Sequence, residues 1–315
     1  MKKTLLFLLF FGCAMTVGAQ PQGMGGGFAM PETNPTYKNI NYAGDDLEAH
    51  CMDIYLPEGI NAKSYKVIVA IYGSAWFANN MKAFAYLSLG KPLNDAGFAV
   101  VCINHRSSAD AKFPAQINDV KTAIRFLRAN GEKYKLDTSF IGITGFSSGG
   151  HLASLAGTTN GMIHMTNGKK AIHLEGHFGG NFDKPSTVDA VVDWFGPVDM
   201  AHMNNCETVN DGNSPEAALI GGAPEDNPEM VALISPITYI TPTGPRFLVI
   251  HGEADNVVPH CQSERFAEAL KNADRLEAFI SVPEGQHGPV TFNEDTFKKM
   301  TDFFLKEAGG TAYSK

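Results

Sequence analysis

Short runs of mostly apolar residues alternate along this chain with longer segments that are apolar on one side only. The runs lie at residues 66–71, 99–103, 140–144, 190–194, 246–250 and 278–282. Runs that are continuous rather than alternating predict strands buried on both faces of a sheet. Segment 114–130 carries apolar residues at helical spacing, which predicts a long amphipathic helix. Segment 83–96 is predicted to form another helix. Strands that alternate with helices favour a mostly parallel sheet covered by helices on both faces.

Two further strands are predicted near residues 37–42 and 47–55, which brings the expected sheet to eight strands. With 44% hydrophobic residues, the chain can bury a large core. We therefore predict one α/β domain over residues 37–309. The glycine-rich stretch 157–186 is a long loop of the kind that lines a site, and residues 200–241 are predicted to form a small insertion that covers the sheet's C-terminal edge.

The first residues have the pattern of an export signal. Lys2 and Lys3 precede the apolar run 5–11, and Val17-Gly18-Ala19 supplies the small residues of a cleavage site. The apolar run is too short to span a bilayer. We therefore predict a signal peptide over residues 1–19 and an exported protein, periplasmic or secreted.

Cys13 offers an alternative to a cleaved signal, since Gly12 precedes it as in lipoproteins. Phe10 and Phe11 are poor residues before such a cleavage site, so lipid anchoring at Cys13 ranks second. Residues 20–36 are rich in glycine and proline and predict a flexible lead-in.

Charge and ligand spacing restrict the partners. The formal net charge is −8 at pH 7 and basic residues do not cluster, which argues against nucleic acid. No Cys or His residues have metal-ligand spacing, so the sequence predicts neither a metal nor a cofactor. The oligomeric state is not determined by the sequence.

The stretch Gly145-Phe146-Ser147-Ser148-Gly149 matches the motif G-x-S-x-G between a predicted strand and a predicted helix. That context is the nucleophile elbow, a strained turn that exposes a serine at the edge of the sheet. The glycines are needed because side chains at those positions would collide with neighbouring backbone. Ser147 is therefore the candidate nucleophile. A Gly/Ser turn without chemistry is the plainer interpretation of so short a motif.

An acid and a histidine follow the next predicted strand ends. Asp255 comes after strand 246–250 and His287 after strand 278–282, which gives the chain order serine, acid, histidine. A histidine can take the serine's proton near neutral pH, and a carboxylate holds its tautomer.

Other residues compete for these roles, and position ranks them lower. Glu253, Asp199 and Asp193 are alternative acids. His151 and His251 are more suited to structural hydrogen bonds.

At these positions the chain resembles a known group of enzymes. The matching motifs lie at residues 104–107, 113–120, 145–153, 192–197 and 251–259. They are similar to the bacterial feruloyl-esterase-like (BD-FAE-like) branch of the α/β-hydrolases, which is related to the hormone-sensitive-lipase-like esterases. The resemblance implies the α/β-hydrolase fold, with Ser147 as nucleophile, Asp255 as acid and His287 as base. It also implies a structural ion pair between Arg106 and Asp119.

One motif departs from that branch. The family has His-Gly-Gly-Gly-Trp where this chain has Tyr72-Gly73-Ser74-Ala75-Trp76. The family's glycine N–H groups form half of the oxyanion hole. We expect backbone donors at Ser74 and Ala75, with Ser148 N–H as the other half. The hydroxyl of Tyr72 is an alternative donor, and packing alone is an equally weighted role for Tyr72. Trp76 is expected to line the substrate pocket.

Four cysteines remain after the predicted signal, and an oxidising compartment favours a bridge. Cys51 and Cys102 lie in predicted strands and are expected to be free. Cys206 and Cys261 are the candidates for a disulfide, although connectivity cannot be deduced from sequence.

The predicted function is a secreted serine carboxylesterase. The resemblance points to feruloyl or acetyl esters on plant polysaccharides such as xylan. An arylformamidase-like amidase or a general short-chain esterase or lipase is the alternative enzyme, because Gly73 and Trp76 also fit the arylformamidase branch. A hydrolase-fold binding protein is the non-enzymatic alternative, which the presence of a complete triad argues against.

Overall fold

The structure is a computed structural model that describes residues 32–314. The predicted signal peptide, Cys13 and most of the lead-in lie outside the described residues. The strands are β1 Tyr37–Asn41, β2 Cys51–Tyr55, β3 Ser64–Ile71, β4 Ala99–Ile103, β5 Leu136–Phe146, β6 His164–Asn167, β7 Lys170–His173, β8 Ala190–Trp194, β9 Arg246–Gly252, β10 Leu276–Val282 and β11 Tyr313–Ser314. The helices are α1 Lys82–Ala85, α2 Lys91–Asp95, α3 Ala115–Asn130, α4 Ser148–Thr158, α5 Pro215–Ile220, α6 Pro228–Leu233, α7 Cys261–Asn272 and α8 Glu294–Glu307.

The central sheet has the strand order β1-β2-β4-β3-β5-β8-β9-β10. All neighbours from β4 to β10 are parallel, and β1 and β2 are antiparallel at one edge. The eight predicted strands are therefore all present and mostly parallel, as expected. The two-residue strand β11 pairs with β3 as a ninth member, and it has no hydrophobic pattern from which it could be predicted.

Alternate residues of β3 show how the sheet is covered on both faces. Val67, Val69 and Ile71 belong to one buried cluster, which includes apolar residues of α3, α4 and α7. Ile68 and Ala70 belong to a second cluster with residues of α2 and α8. Side chains of a strand point to opposite faces in turn, so a fully apolar strand contacts both layers of helices.

Two predicted segments differ in detail from the structure. The predicted helix at 83–96 is α1 and α2 joined by a π-helical turn, Tyr86–Gly90. The stretch 157–186 contains a separate hairpin of β6 and β7, and Met165 and Ile172 of that hairpin are buried. The alternating pattern over so few residues, within a glycine-rich stretch, gave no clear strand signal.

The segment after β8 carries α5, α6 and several short 3-10 turns. A disulfide joins Cys206 in this segment to Cys261 at the start of α7, with their Cα atoms 6.2 Å apart. Arg265 of α7 forms an ion pair with Asp199, with 3.1 Å between Nη1 and Oδ2. The segment is thus fixed to α7 by one covalent bond and one ion pair, while Cys51 and Cys102 are free.

No helix within residues 32–314 combines the length and the apolar character that crossing a bilayer needs.

The disulfide is expected to stabilise the fold, because it closes a loop with a sequence separation of 55 residues. Replacing both Cys206 and Cys261 by Ser should lower the free energy of unfolding by about 2–4 kcal/mol, mostly by releasing the unfolded chain. Urea denaturation measures this change. Reducing agent should destabilise the wild type and leave the double variant unaffected.

Cys51→Ser is the matched control, because Cys51 is free and partly exposed. A double variant as stable as the wild type would show that the bridge contributes no stability.

Candidate active site

Ser147 lies at the turn between β5 and α4, with φ 56° and ψ −128°. A residue other than glycine seldom adopts this conformation, which costs about 1–3 kcal/mol unless the surroundings impose it. The Ser147 N–H donates to the carbonyl of Trp194 at 2.9 Å, and the side chain is partly exposed. The turn therefore has the strained geometry of a nucleophile elbow, with the serine accessible.

The glycines of the elbow leave no room for side chains. A Cβ at Gly145 would lie 2.2 Å from the carbonyl oxygen of Gly149, and one at Gly149 would lie 2.3 Å from that of Ile71. A Cβ at Gly150 would lie 2.4 Å from Oδ1 of Asp193. The first turn of α4 is thus held between the end of β3 and the end of β8.

The two other predicted triad residues are in direct contact. His287 Nδ1 lies 2.7 Å from Oδ2 of Asp255, whose side chain is fully buried, while that of His287 is 16% exposed. The ring of His287 packs on Phe195, with centroids 4.6 Å apart. Phe195 directly follows Trp194, the residue that holds the Ser147 N–H. Ser147 and His287 thus both contact the short segment at the end of β8.

The Asp255 carboxylate accepts hydrogen bonds on both oxygens. Oδ1 accepts the N–H groups of Val257 at 2.8 Å and Val258 at 3.0 Å. Oδ2 lies 2.7 Å from His287 Nδ1 and 3.3 Å from His251 Nε2. Burial alone would raise the pKa of Asp255, but the hydrogen bonds from both histidines outweigh it and hold the pKa well below its usual range. The acid is therefore ionised at neutral pH.

His251 makes structural hydrogen bonds, as expected, and it also contacts the candidate acid. It is buried, its Nδ1 lies 2.7 Å from Oγ of Ser263, and its Nε2 lies 3.1 Å from the carbonyl of Val258. Burial lowers the pKa of His251, so the neutral ring donates from Nε2 towards Asp255. The spacing of four residues between His251 and Asp255 was the available signal. For Phe195 the sequence offered only its place in the matching motif 192–197, since only the fold brings it to His287.

The rival acids have other partners. Asp199 Oδ2 lies 2.8 Å from His202 Nδ1 as well as next to Arg265. Glu253 accepts the hydroxyl of Ser281 at 2.8 Å. Asp193 accepts the N–H of Gly196 at 2.9 Å. Within the described residues, Asp255 is the carboxylate that contacts His287.

The expected role of Tyr72 as an alternative oxyanion donor does not fit the structure. Its hydroxyl donates to the carbonyl of Ala78 at 3.1 Å. Its ring is buried and stacks on His105, with centroids 4.9 Å apart. Tyr72 is thus a packing residue whose hydroxyl already has an acceptor.

Ser74 also differs from expectation. Its N–H donates to Oγ of Ser148 at 2.9 Å, so it is not free to bind an oxyanion. Phe77 N–H donates to the Ser74 carbonyl at 3.0 Å, and Ala75 and Trp76 between them have φ 50° and 60°. These values define a type I′ turn. Among residues 32–314, neither Ala75 N–H nor Ser148 N–H donates to a protein acceptor, so these two remain candidate oxyanion donors.

Trp76 does not line a pocket as expected, because it is 2% exposed. Its Nε1–H donates to His151 Nδ1 at 3.2 Å, and His151 Nε2 donates to the Ile234 carbonyl at 2.8 Å. Burial lowers the pKa of His151 to about 4. His151 is therefore a neutral structural residue, and Trp76 connects the β3 loop to α4.

Two further features lie outside the contacts of Ser147, Asp255 and His287. Arg106 and Asp119 form the ion pair that the resemblance implied, with 2.6 Å between Nη2 and Oδ1. A cleft of about 480 Å³ lies between the segments 106–118 and 171–178. That cleft contains none of the triad residues, so it is separate from the candidate active site.

The sheet order, the elbow after β5, and the acid and histidine after β9 and β10 define an α/β-hydrolase fold. The chain belongs to the BD-FAE family, whose family model matches residues 52–270.

Relatives and solved structures agree with this assignment. The chain is 31% identical over 246 residues to Esterase LipC of Mycobacterium tuberculosis, covering 78% of this chain and 58% of that protein. It thus spans little more than half the length of this curated relative. A solved bifunctional GH43-CE protein of Bacteroides eggerthii is 67% identical with a TM-score of 0.85, covering 87% of this chain and 35% of that one. A truncated carbohydrate esterase from gut microbiota is 56% identical with a TM-score of 0.85, covering 87% and 96%.

Asp193 is a buried carboxyl group directly beneath the elbow. It lies on β8, is 0% exposed, and has Oδ1 near both Gly150 and Gly196. Burial raises the pKa of Asp193 to about 7, although the Ser154 hydroxyl and the Gly196 N–H oppose the shift. The folded protein therefore binds this proton more tightly than the unfolded chain does.

The raised pKa of Asp193 predicts a pH-dependent loss of stability. Its contribution is complete below the unfolded pKa of about 4 and is lost as the pH rises through about 7. As the pH rises from about 5 to about 8, the wild type should lose roughly 3 kcal/mol of unfolding free energy relative to Asp193→Asn. Urea denaturation at both pH values tests this. Asp95→Asn, at the surface, is the control, and parallel pH profiles for wild type and Asp193→Asn would contradict the prediction.

Because the Tyr72 hydroxyl already donates to Ala78, Tyr72→Phe should change kcat by less than about threefold, whereas loss of an oxyanion donor costs about 10²-fold or more. The stability loss should be about 1 kcal/mol, the value of one hydrogen bond. Steady-state kinetics with p-nitrophenyl acetate measures the change in kcat, and thermal unfolding measures the change in stability. Tyr239→Phe removes a similar bond, to Leu233 at 3.1 Å, and should lose similar stability. A large fall in kcat for Tyr72→Phe, without one for Tyr239→Phe, would show that the Tyr72 hydroxyl is an oxyanion donor.

Proposed function

We propose that the protein is a carboxylesterase in which Ser147, His287 and Asp255 form a catalytic triad. The observation that carries this proposal is the 2.7 Å contact between His287 and the buried Asp255, at the sheet edge where the strained Ser147 turn also lies. Parallel α/β sheets bind ligands at the carboxyl ends of their strands, and all three residues follow such ends.

In the proposed reaction, Asp255 accepts the Nδ1–H of His287, which leaves Nε2 free as a base. Nε2 takes the proton of Ser147 while Oγ attacks the ester carbonyl and forms a tetrahedral intermediate. The oxyanion is bound by the N–H groups of Ala75 and Ser148. His287 then gives the proton to the departing alcohol, and the acyl group stays on Ser147. Water deprotonated by His287 attacks the acyl-enzyme and forms a second tetrahedral intermediate. This intermediate collapses as His287 returns the proton to Oγ of Ser147, and the acid is released.

The proposed substrates are acyl esters of plant polysaccharides, such as feruloyl or acetyl groups on xylan. Similarity to a carbohydrate esterase at 56% identity, over 96% of that chain, supports the carbohydrate part. Membership of the BD-FAE family supports the ester bond. The leader pattern at residues 1–19 supports export, which would place the enzyme where such polymers are found.

Triad variants test the assignment. Ser147→Ala and His287→Ala should each lower kcat by about 10⁴-fold or more, and Asp255→Asn by at least about 10²-fold. Asp199→Asn is the matched control, because its carboxylate faces His202 and Arg265, and it should keep near wild-type kcat. Hydrolysis of p-nitrophenyl acetate provides the rates. An active Ser147→Ala variant would contradict the proposal. An inactive Asp199→Asn variant together with an active Asp255→Asn variant would assign the role of the acid to Asp199.

The substrate is tested by incubating the wild type with arabinoxylan and measuring ferulate and acetate release side by side. We expect release of at least one of them, and none from Ser147→Ala. Activity on p-nitrophenyl acetate without release from the polymer would indicate a general short-chain esterase. Faster hydrolysis of an aryl formamide than of p-nitrophenyl acetate would favour an amidase. A wild type inactive on all three would indicate a binding protein.

A further inference from the structure

The Ser148 hydroxyl connects the two halves of the candidate oxyanion hole. Ser148 is the first residue of α4 and is 1% exposed. Its Oγ accepts the N–H of Ser74 from the β3 loop at 2.9 Å. One residue thus carries a candidate oxyanion donor on its backbone and fixes the loop that carries the other.

The β3 loop needs such fixing because its turn is strained. Ala75 and Trp76 both have positive φ, a conformation that costs a residue with a Cβ roughly 1–2 kcal/mol. Glycines at these positions would pay no such cost. Without glycine, neighbouring contacts must hold the loop, and the bond to Ser148 attaches the residue directly before Ala75 to α4.

The loop is also close to the nucleophile. A Cβ at Gly73 would lie 2.7 Å from the Cβ of Ser147, and the Trp76 carbonyl accepts Ser108 N–H at 2.8 Å. The carbonyl of Trp76 is thus attached to a different loop and its side chain to α4, while the backbone of the turn is attached to α4 through the Ser74 N–H. A shift of Ser74 would move Ala75 N–H relative to Ser147.

We propose that the Ser148 hydroxyl is a positioning group for ester hydrolysis, which aims Ala75 N–H at the oxyanion by holding Ser74. This inference rests on the proposed function and adds a residue that the triad does not include. It also implies that the hole has two backbone donors, Ala75 and Ser148, because Ser74 N–H is already bonded.

Ser148→Ala removes the hydroxyl and keeps the backbone N–H. We expect kcat on p-nitrophenyl acetate to fall about 10- to 100-fold, the scale of a small misplacement at a reacting centre, with KM changed less than about twofold. A boronic acid that forms a tetrahedral adduct on Ser147 should bind more weakly by a similar factor, because only tetrahedral species carry the charge that the hole binds. Ser148→Thr, which keeps a hydroxyl, should recover most of the loss.

Ser154→Ala is the matched control. Ser154 lies on the same helix and is 0% exposed, and its hydroxyl makes no hydrogen bond to the 72–76 loop. It should keep wild-type kcat and boronic acid affinity. An equal loss in Ser154→Ala would show a general effect on α4, and wild-type kcat in Ser148→Ala would refute the positioning role.

Hydrogen exchange of the Ser74 amide tests the contact without relying on esterase activity. NMR should show a protected amide in the wild type and faster exchange in Ser148→Ala, with the global unfolding free energy accounted for. Unchanged exchange would overturn the inference even in an active enzyme. A wild type that hydrolyses no ester would instead overturn the proposed function.

Discussion

The strained backbone of Ser147 is the constraint on which the rest of the site depends. A residue with φ 56° and ψ −128° is stable only if its surroundings prevent relaxation. Here β3 and β8 do so from either side, through close contacts at Gly149 and Gly150 and the hydrogen bond to Trp194. The parallel sheet therefore also fixes the conformation of the elbow, because its central strands must end at the same level for these contacts to form.

Charge at the candidate site is controlled by burial and by the number of hydrogen bonds that each carboxylate accepts. Asp255 is out of water, yet its carboxylate stays ionised because two backbone N–H groups and two histidines surround it. Asp193, a few ångströms below the elbow glycines, has few donors and therefore a raised pKa. Two buried aspartates, one on β8 and one in the loop after β9, thus differ in protonation because one is fully hydrogen-bonded and the other is not.

The β3 loop shows how a chain without a run of glycines can still form a tight turn. Ala75 and Trp76 adopt the positive φ values that glycine would take without strain. The strain is offset by contacts that a glycine loop would not need: Ser74 to Ser148, Trp76 to His151 and Tyr72 to Ala78. These contacts make the loop part of the packed interior.

The sequence alone was sufficient for the eight main strands, the order of serine, acid and histidine, and the spacing of the elbow glycines. These follow from consecutive residues, because a buried strand must be apolar and a crowded turn must lack Cβ atoms. Only the tertiary structure decided which donors are free. Ser74 and Ser148, like Trp76 and His151, are more than 70 residues apart, and their bonds depend on how β3 packs against α4. For the same reason, the sequence placed Trp76 in a pocket, whereas packing buries it: a motif specifies which residues are near the turn, but the direction of each side chain is set by its neighbours in space.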